Sequence, residues 1–154
     1  MQKLFLPLLF SGFAIAACDG LFTGERVARF PLQSRVGGYA PLTLTLGPEM
    51  NPVALNLQAA YSASAIEAGK WNSYRATLKK SGTSVASATF QVNNTSDPNS
   101  PAAQVLSRTM LIVDVTEVGD YELTIDALAP LAVTLESANV EMRRNIRRQE
   151  TNAK

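Results

Sequence analysis

The sequence predicts an all-β protein: an antiparallel β-sandwich, jelly-roll or immunoglobulin-like, with eight or nine strands. The main observation is a repeated two-residue alternation of apolar and polar side chains, which is typical of strands with one buried face. Turn-forming pairs such as Gly37-Gly38, Gly47-Pro48 and Gly119-Asp120 separate these runs at the spacing expected of hairpins. No long run has a 3.6-residue apolar period, and 154 residues are of a size for one domain.

The strand pattern recurs along the whole domain. In the run PLTLTL, the leucines at 42, 44 and 46 share one face and the threonines between them share the other. In YELTID, Tyr121, Leu123 and Ile125 alternate with polar residues in the same way. The predicted strands are 27–33, 41–46, 53–58, 71–78, 86–92, 106–115, 121–126, 131–137 and 139–146.

Three local signals refine this prediction. The run MLIVDV at 110–115 is apolar on both faces apart from Asp114, which predicts a central strand. The segment ASAIEAG at 63–69 predicts a single helical turn at most. The run VGDYELTI resembles the turn and strand of many extracellular β-sandwich modules, and the resemblance implies that the Tyr121 hydroxyl locks a corner.

The N-terminal segment predicts export. Lys3 gives a positive start, and the apolar run at 4–17 is shorter than the roughly 20 residues that a membrane-spanning helix needs. The step Ile15-Ala16-Ala17-Cys18 resembles the lipobox of bacterial lipoproteins. The resemblance implies cleavage before Cys18, the only cysteine, and a thioether from its sulfur to diacylglycerol. An ordinary cleaved signal with an incidental or buried structural cysteine is the alternative.

This interpretation divides the chain and gives it a location. It predicts a signal peptide at 1–17, a lipid-anchored tether at 18–25, the sandwich at 26–146 and a basic flexible tail at 147–154. Asp19 after the lipidated cysteine resembles the signal for inner-membrane retention in enterobacterial lipoproteins, and the outer membrane is the alternative. In either membrane the domain is expected to face the periplasm or the outside.

Composition excludes several function classes. Removal of Lys3 with the signal leaves 13 positive and 13 negative side chains, so nothing in the charge balance favours nucleic acid as a partner. The absence of histidine removes the usual general base and zinc ligand. With Cys18 carrying lipid, no thiol nucleophile remains. We therefore predict a non-catalytic protein with no cofactor and no metal.

Two acidic or oxygen-rich stretches leave alternatives open. Glu117, Asp120, Glu122 and Asp126 could supply the carboxylate pair of a hydrolase, although turn formation and a solvated strand face explain them as well. The loop NNTSDPNSP at 93–101 is rich in oxygen ligands for calcium. It lacks the glycine and closing glutamate of an EF-hand loop, and its residue types also suit a surface turn.

The candidate ligand-binding residues are Trp71, Tyr74 and Arg75. Together with Tyr39 and Tyr61, Trp71 and Tyr74 could form a platform on which sugar rings stack. Alternation places Trp71 and Arg75 on the face opposite Tyr74, which predicts a partly exposed indole ring. The alternative is that Trp71 covers the core.

Four arginines near the C-terminus are candidates for contact with anionic lipid or an acidic partner. A helical continuation would place them on one side, and a solvated terminus is the alternative. They are Arg143, Arg144, Arg147 and Arg148.

These observations predict a lipid-anchored, non-catalytic binding or interaction module of the bacterial cell envelope, with the membrane and an unidentified envelope protein or glycan as partners. The alternative is a structural subunit of an envelope secretion or export complex. A carboxylate-dependent hydrolase is the third hypothesis.

Overall fold

The computed structural model describes residues 24–61, 66–95 and 104–147. Nine strands and one short 3-10 helix (Pro48–Met50) form within these residues. The strands are β1 (Glu25–Pro31), β2 (Ser34–Arg35), β3 (Gly38–Leu46), β4 (Val53–Tyr61), β5 (Trp71–Lys80), β6 (Thr83–Asn93), β7 (Gln104–Val113), β8 (Gly119–Leu131) and β9 (Ser137–Arg144).

Two antiparallel sheets form the predicted sandwich, which is confirmed. Sheet A has the order β1-β9-β4-β7, and sheet B has the order β2-β3-β8-β5-β6. The long strands pair in nested fashion: β5 with β6, β4 with β7, β3 with β8, and β1 with β9. This nesting is the jelly-roll arrangement. An immunoglobulin sheet would place the first strand beside the second, whereas β1 lies beside the last strand.

The core lies between the sheets and is built by the alternating residues. Leu44 of β3, Leu57 of β4 and Leu78 of β5 are each 0% exposed. Burial of such a side chain contributes about 1.5–3 kcal/mol relative to leaving it in water. The threonines of PLTLTL, Thr43 and Thr45, are exposed on the outer face of sheet B.

The prediction of a central strand at 110–115 is wrong, because β7 is an edge strand of sheet A. The register between β4 and β7 shifts between Leu55 and Asn56, which pair with Leu111 and Thr109. Met110 is the extra residue of this bulge, so the consecutive residues Met110 and Leu111 are both buried. Because of this bulge, the sequence of an edge strand contains consecutive apolar residues and resembles the sequence of a strand that is buried on both faces.

The prediction of a strand at 131–137 is also wrong. Strand β8 continues through Ala129 and Pro130 to Leu131, and residues 132–136 form the connection to β9. Val133 alternates into the core as expected, but its backbone is held by a side chain rather than by a neighbouring strand. At the other end of β8, the predicted corner is confirmed, because the Tyr121 hydroxyl donates to the Glu117 carbonyl at 2.8 Å.

Two asparagines hold connections by the same device. The Asn72 Nδ2 donates to the Val133 carbonyl at 2.7 Å, and the Asn72 Oδ1 accepts from the Val133 N–H at 2.8 Å. Asn51 binds both backbone groups of Val115 in the same way, at 2.7 and 2.9 Å. Each amide side chain thus makes the pair of hydrogen bonds that the backbone of a neighbouring strand would otherwise make.

We expect Asn72→Ala to lower the free energy of unfolding by about 2–4 kcal/mol, because it leaves the buried N–H and carbonyl of Val133 without these bonds, at about 1–3 kcal/mol per buried group. Urea denaturation followed by circular dichroism measures the change. Asn93→Ala, at an exposed position of β6, is the matched control and should stay within about 0.5 kcal/mol of wild type. Equal losses in both variants would contradict the clamp.

The sandwich has two distinct ends. The Gly24 end holds the start of β1 and the end of β9, which pair at Glu25 and Arg144. The last residue of β5, Lys80, lies at the same extremity of the sandwich, where it contacts Glu117 just before β8. The Trp71 end, at the other extremity of β5, holds the connection that follows β8, where the Ala132 N–H donates to the Trp71 carbonyl.

Candidate ligand-binding site

The outer face of sheet B carries the predicted ligand-binding residues Trp71 and Arg75. Trp71 is 41% exposed and Arg75 is exposed, as the alternation predicted. In the register with β6, Trp71 lies beside Asn93 and Arg75 beside Thr89. An indole ring on a polar sheet face can stack on an apolar ligand surface while polar neighbours bind its edges.

A groove of about 430 Å³ lies on this face, and Ser73, one of its lining residues, is the next residue on the same side of β5 after Trp71. Its lining includes Ser73 of β5, Thr89 and Gln91 of β6, and Leu128 of β8. Arg108 also lines the groove, although it belongs to β7 of the other sheet. Sequence patterning could not identify Arg108, because only the contact between the edge strands β6 and β7 brings it here.

Tyr74 lies on the opposite face, in the core. It is 5% exposed and its ring stacks on Phe90 at 5.5 Å between centroids, with Tyr39 at 6.0 Å on its other side. Burial raises the pKa of Tyr39, and the neighbouring Tyr74 raises it further through charge and a hydrogen bond. Tyr61 is also buried, at 1% exposed. Of the four aromatic residues proposed for the stacking platform, Trp71 therefore lies on the outer face. The three tyrosines are buried.

Side-chain contacts fix the connections around the Trp71 end. Glu67 accepts from the Thr134 N–H at 2.9 Å and from the Thr134 hydroxyl at 2.7 Å. These two hydrogen bonds lower the pKa of the Glu67 carboxyl, so it remains ionised at neutral pH. The Asn72 clamp acts on the adjacent Val133. The connection that follows β8 at the Trp71 end is thus held by hydrogen bonds at two consecutive residues, Val133 and Thr134.

The C-terminal arginines do not lie on one side of a helix. Arg143 and Arg144 belong to β9, where neighbouring residues point to opposite faces. Arg143 is 9% exposed, whereas Arg144 pairs with Glu25 at 2.7 Å near the surface. Arg147 is exposed just after the strand.

Several predictions fall outside the described residues. They are the signal peptide at 1–17, the part of the tether at 18–23 with Cys18 and Asp19, the start of the helical turn at 63–65, the part of the calcium-loop candidate at 96–101, and the part of the tail at 148–154 with Arg148. The residues that the structure describes include no helix with the length and apolar character that a membrane span requires.

Glu141 organises a cluster of arginines on the outer face of sheet A. Its carboxylate accepts from Arg143 Nε at 2.6 Å and from Gln58 Nε2 at 2.9 Å. Arg29 and Arg26 of β1 approach the same carboxylate at 3.6 and 3.9 Å. Sequence reasoning missed this cluster, because Arg26 and Arg29 are far from Arg143 in the chain and the β1–β9 pairing unites them.

The surroundings of Glu141 keep it charged. Burial alone raises the pKa of the Glu141 carboxyl, since the side chain is only 3% exposed. The hydrogen bond and charge of Arg143, with the charges of Arg26 and Arg29, outweigh burial and lower the pKa overall. The cluster therefore combines one buried anion with three cations.

Three of the four acidic residues of the hydrolase hypothesis are engaged in separate contacts, and the fourth, Glu122, is exposed on β8. Glu117 accepts from Lys80 at 2.6 Å, Asp120 from Thr45 at 2.8 Å, and Asp126 lies 3.8 Å from Arg35. The hydrogen bond and charge of Lys80 lower the pKa of Glu117, which disfavours the protonated form that a general acid needs. Among the described residues, no group of three or more His, Cys, Asp or Glu could hold a metal ion.

Comparison with known proteins adds little to this description. No protein-family model matches the chain, and no curated protein matches it. The solved structure of dimeric latent PorU from Porphyromonas gingivalis matches with 12% identity and a TM-score of 0.35. The match covers 80% of this chain and 13% of the PorU chain. A likeness at this level indicates no function.

Proposed function

We propose that this chain is a lipid-anchored, non-catalytic binding module of the bacterial cell envelope. In this proposal, Cys18 holds the chain to the membrane, and the sandwich presents its outer face to a glycan or protein partner in the periplasm. Asp19 favours the inner membrane, with the outer membrane as the alternative.

The positions of the two ends support this arrangement. Gly24 is the sixth residue after Cys18, so the backbone from one to the other spans at most about 22 Å. The Gly24 end would therefore lie close to the bilayer. Strand β5 has ten residues, which extend for about 33 Å at 3.3 Å per residue. The Trp71 end would accordingly point away from the membrane, where a ligand can reach it.

The observation that carries the proposal is the exposure of Trp71. Tryptophan buries a large apolar area when it is covered, and in this chain 41% of it remains in contact with solvent. Its cross-strand neighbour on β6 is Asn93, and the next pair along the two strands, Ser73 and Gln91, lines the groove. This combination suits a ligand that offers both a ring face and polar edges.

The arginines of the Gly24 end suit contact with anionic headgroups. Arg147 is exposed, and the side chains of Arg26 and Arg144 are 57% and 40% exposed. Each basic side chain held near an anionic membrane surface contributes about 1 kcal/mol of attraction. Arg143 differs from these residues, because its contact with buried Glu141 gives it a structural role.

Trp71→Ala is expected to weaken ligand binding by at least about 30-fold, because truncation of a tryptophan at the centre of a binding site costs about 2 kcal/mol or more. The measurement is isothermal titration calorimetry on the full-length lipidated protein in detergent micelles. The probes are cellohexaose, a hexamer of β-1,4-linked glucuronate, and soluble peptidoglycan fragments.

Trp71→Phe is the matched control, because it keeps an aromatic face and should retain most of the affinity. Trp71 is also the only tryptophan, so its fluorescence reports binding to this site directly. Equal affinities for wild type and Trp71→Ala, or no saturable binding of any probe to wild type, would contradict glycan binding at this face.

A structural subunit of an envelope secretion or export complex is the second candidate, and the edge strand β7 favours it. Val105 and Ile112 on this strand are 76% and 51% exposed, which is unusual for β-branched apolar side chains beside open backbone groups. A partner strand could pair with β7 and cover both residues. Such an assembly would be insensitive to Trp71→Ala.

A further inference from the structure

We infer that the groove beside Trp71 takes an acidic saccharide chain, one that bears carboxylate groups, in preference to a neutral one. The inference rests on the proposed function, because it names the ligand class for the same site. Its basis is the charge of the groove, the unused hydrogen-bonding capacity of its polar side chains, and the length of the adjoining row from Trp71 to Arg75 on β5.

The groove is cationic. Arg108 lines it, and Arg75 lies on the adjoining row of the same face beside Thr89. Within the described part of the chain, neither guanidinium has a carboxylate within ion-pair distance. Asp126 is opposite Arg75 in the register with β8, but its ion pair is with Arg35 at 3.8 Å. The planar guanidinium group suits bidentate binding of a carboxylate.

The polar side chains of the groove have hydrogen-bonding capacity to spare. Among the described residues, the side chains of Ser73, Thr89 and Gln91 make no hydrogen bond to another protein group. Further along the same strands, Thr77 and Ser87 satisfy each other at 3.0 Å. Hydroxyl and amide groups both donate and accept, which matches the hydroxyls of a sugar.

The length of the face favours a chain of sugars over a small anion. Trp71, Ser73 and Arg75 point to the same side of β5, and the first and last of them are about 13 Å apart along the strand. A pyranose ring can stack on Trp71 while a carboxylate further along the chain meets Arg75 or Arg108. A small anion would use the arginines and leave Trp71 uncovered.

The test compares two hexamers that differ at C6 of each unit, cellohexaose and β-1,4-linked hexaglucuronate. Titration of full-length lipidated protein in a non-ionic detergent, followed by Trp71 fluorescence at low salt, should give at least about tenfold tighter binding of hexaglucuronate. Arg108→Gln should weaken hexaglucuronate binding by about tenfold and leave cellohexaose binding unchanged, because it removes one charged hydrogen bond.

Arg75→Gln is the second variant and should act in the same direction if Arg108→Gln fails to fold. Arg147→Gln, with the same charge change at the Gly24 end, is the control and should leave both affinities unchanged. Equal affinities of wild type for the two hexamers would overturn the inference and leave the proposed site standing. Absence of binding by both hexamers would overturn the inference, and absence of binding by the peptidoglycan fragments as well would overturn glycan binding at this face.

An acidic peptide is the competing ligand class. Poly-L-glutamate is titrated under the same conditions, and we expect binding at least tenfold weaker than that of hexaglucuronate, because a peptide offers no pyranose ring to Trp71. Binding of poly-L-glutamate as tight as that of hexaglucuronate, and unaffected by Trp71→Ala when both proteins are titrated by isothermal titration calorimetry, would overturn the saccharide inference.

Discussion

Replacement of Cys18 by alanine is expected to move the protein almost completely from the membrane fraction to the soluble fraction, or to leave it unprocessed. The thioether to diacylglycerol requires the sulfur, and no other cysteine is available. Each buried CH₂ of an acyl chain contributes about 0.8 kcal/mol to membrane binding, so two or three chains supply nearly all of the attachment. Membrane fractionation and metabolic labelling with palmitate measure the effect.

Asp19→Asn is the matched control for the anchor. It keeps Cys18, so the variant should be labelled with palmitate as strongly as wild type and should stay in the membrane fraction. Separation of inner and outer membranes then tests the sorting role of Asp19 in the same experiment. Unchanged palmitate labelling of Cys18→Ala would contradict the lipid anchor.

Glu141→Ala is expected to lower the free energy of unfolding by about 3–5 kcal/mol at pH 7, which is the typical cost of removing one partner from a buried ion pair. The change removes the carboxylate that faces Arg143 at 2.6 Å and that also attracts Arg26 and Arg29. Urea denaturation of wild type and variant measures the loss. This is the largest stability effect that we expect from a single polar side chain.

The effect of Glu141 depends on pH in a defined direction. Its pKa is lower in the folded protein than its ordinary value of 4.5, so the folded state binds this proton less readily than the unfolded state. The stabilisation is therefore fully present above about pH 4.5 and is lost as the pH falls through the folded pKa. The difference between wild type and Glu141→Ala should accordingly shrink in acid.

Glu25→Ala is the matched control, because Glu25 also pairs with an arginine of β9. The side chains of Arg144 and Glu25 are 40% and 59% exposed, and a pair in that environment contributes about 0–1 kcal/mol. If Glu141→Ala costs no more than Glu25→Ala, burial does not strengthen the Glu141 pair, and the structural role of the cluster is refuted.

The fold could be predicted from the sequence because the signal was local. The leucines of PLTLTL and the apolar residues of YELTID face the core as their alternation requires. The same rule correctly separated exposed Trp71 from buried Tyr74. It failed at 110–115, because the bulge at Met110 places two consecutive residues on one side. A bulge depends on the partner strand, which local alternation does not describe.

The candidate site could be predicted only in part. Trp71 and Arg75 were found because they share a strand, and residues on one strand have a fixed relation to one another. Arg108 was missed, because it reaches the groove from the other sheet. The Glu141 cluster was missed for the same reason, since β1 and β9 supply its arginines from the two ends of the domain.

The sequence by itself determined that this chain forms strands with one apolar face, that Trp71 lies on an outer face, and that the lone cysteine follows a short apolar run. Tertiary structure decided that the strands nest as a jelly roll, that β7 lies at an edge, and that Arg108 lines the groove with Ser73 while Arg26 and Arg29 approach Glu141. The physical reason is the distance along the chain over which each feature is set. Alternation is set between neighbouring residues, whereas strand order and charge clusters depend on which distant segments pack together.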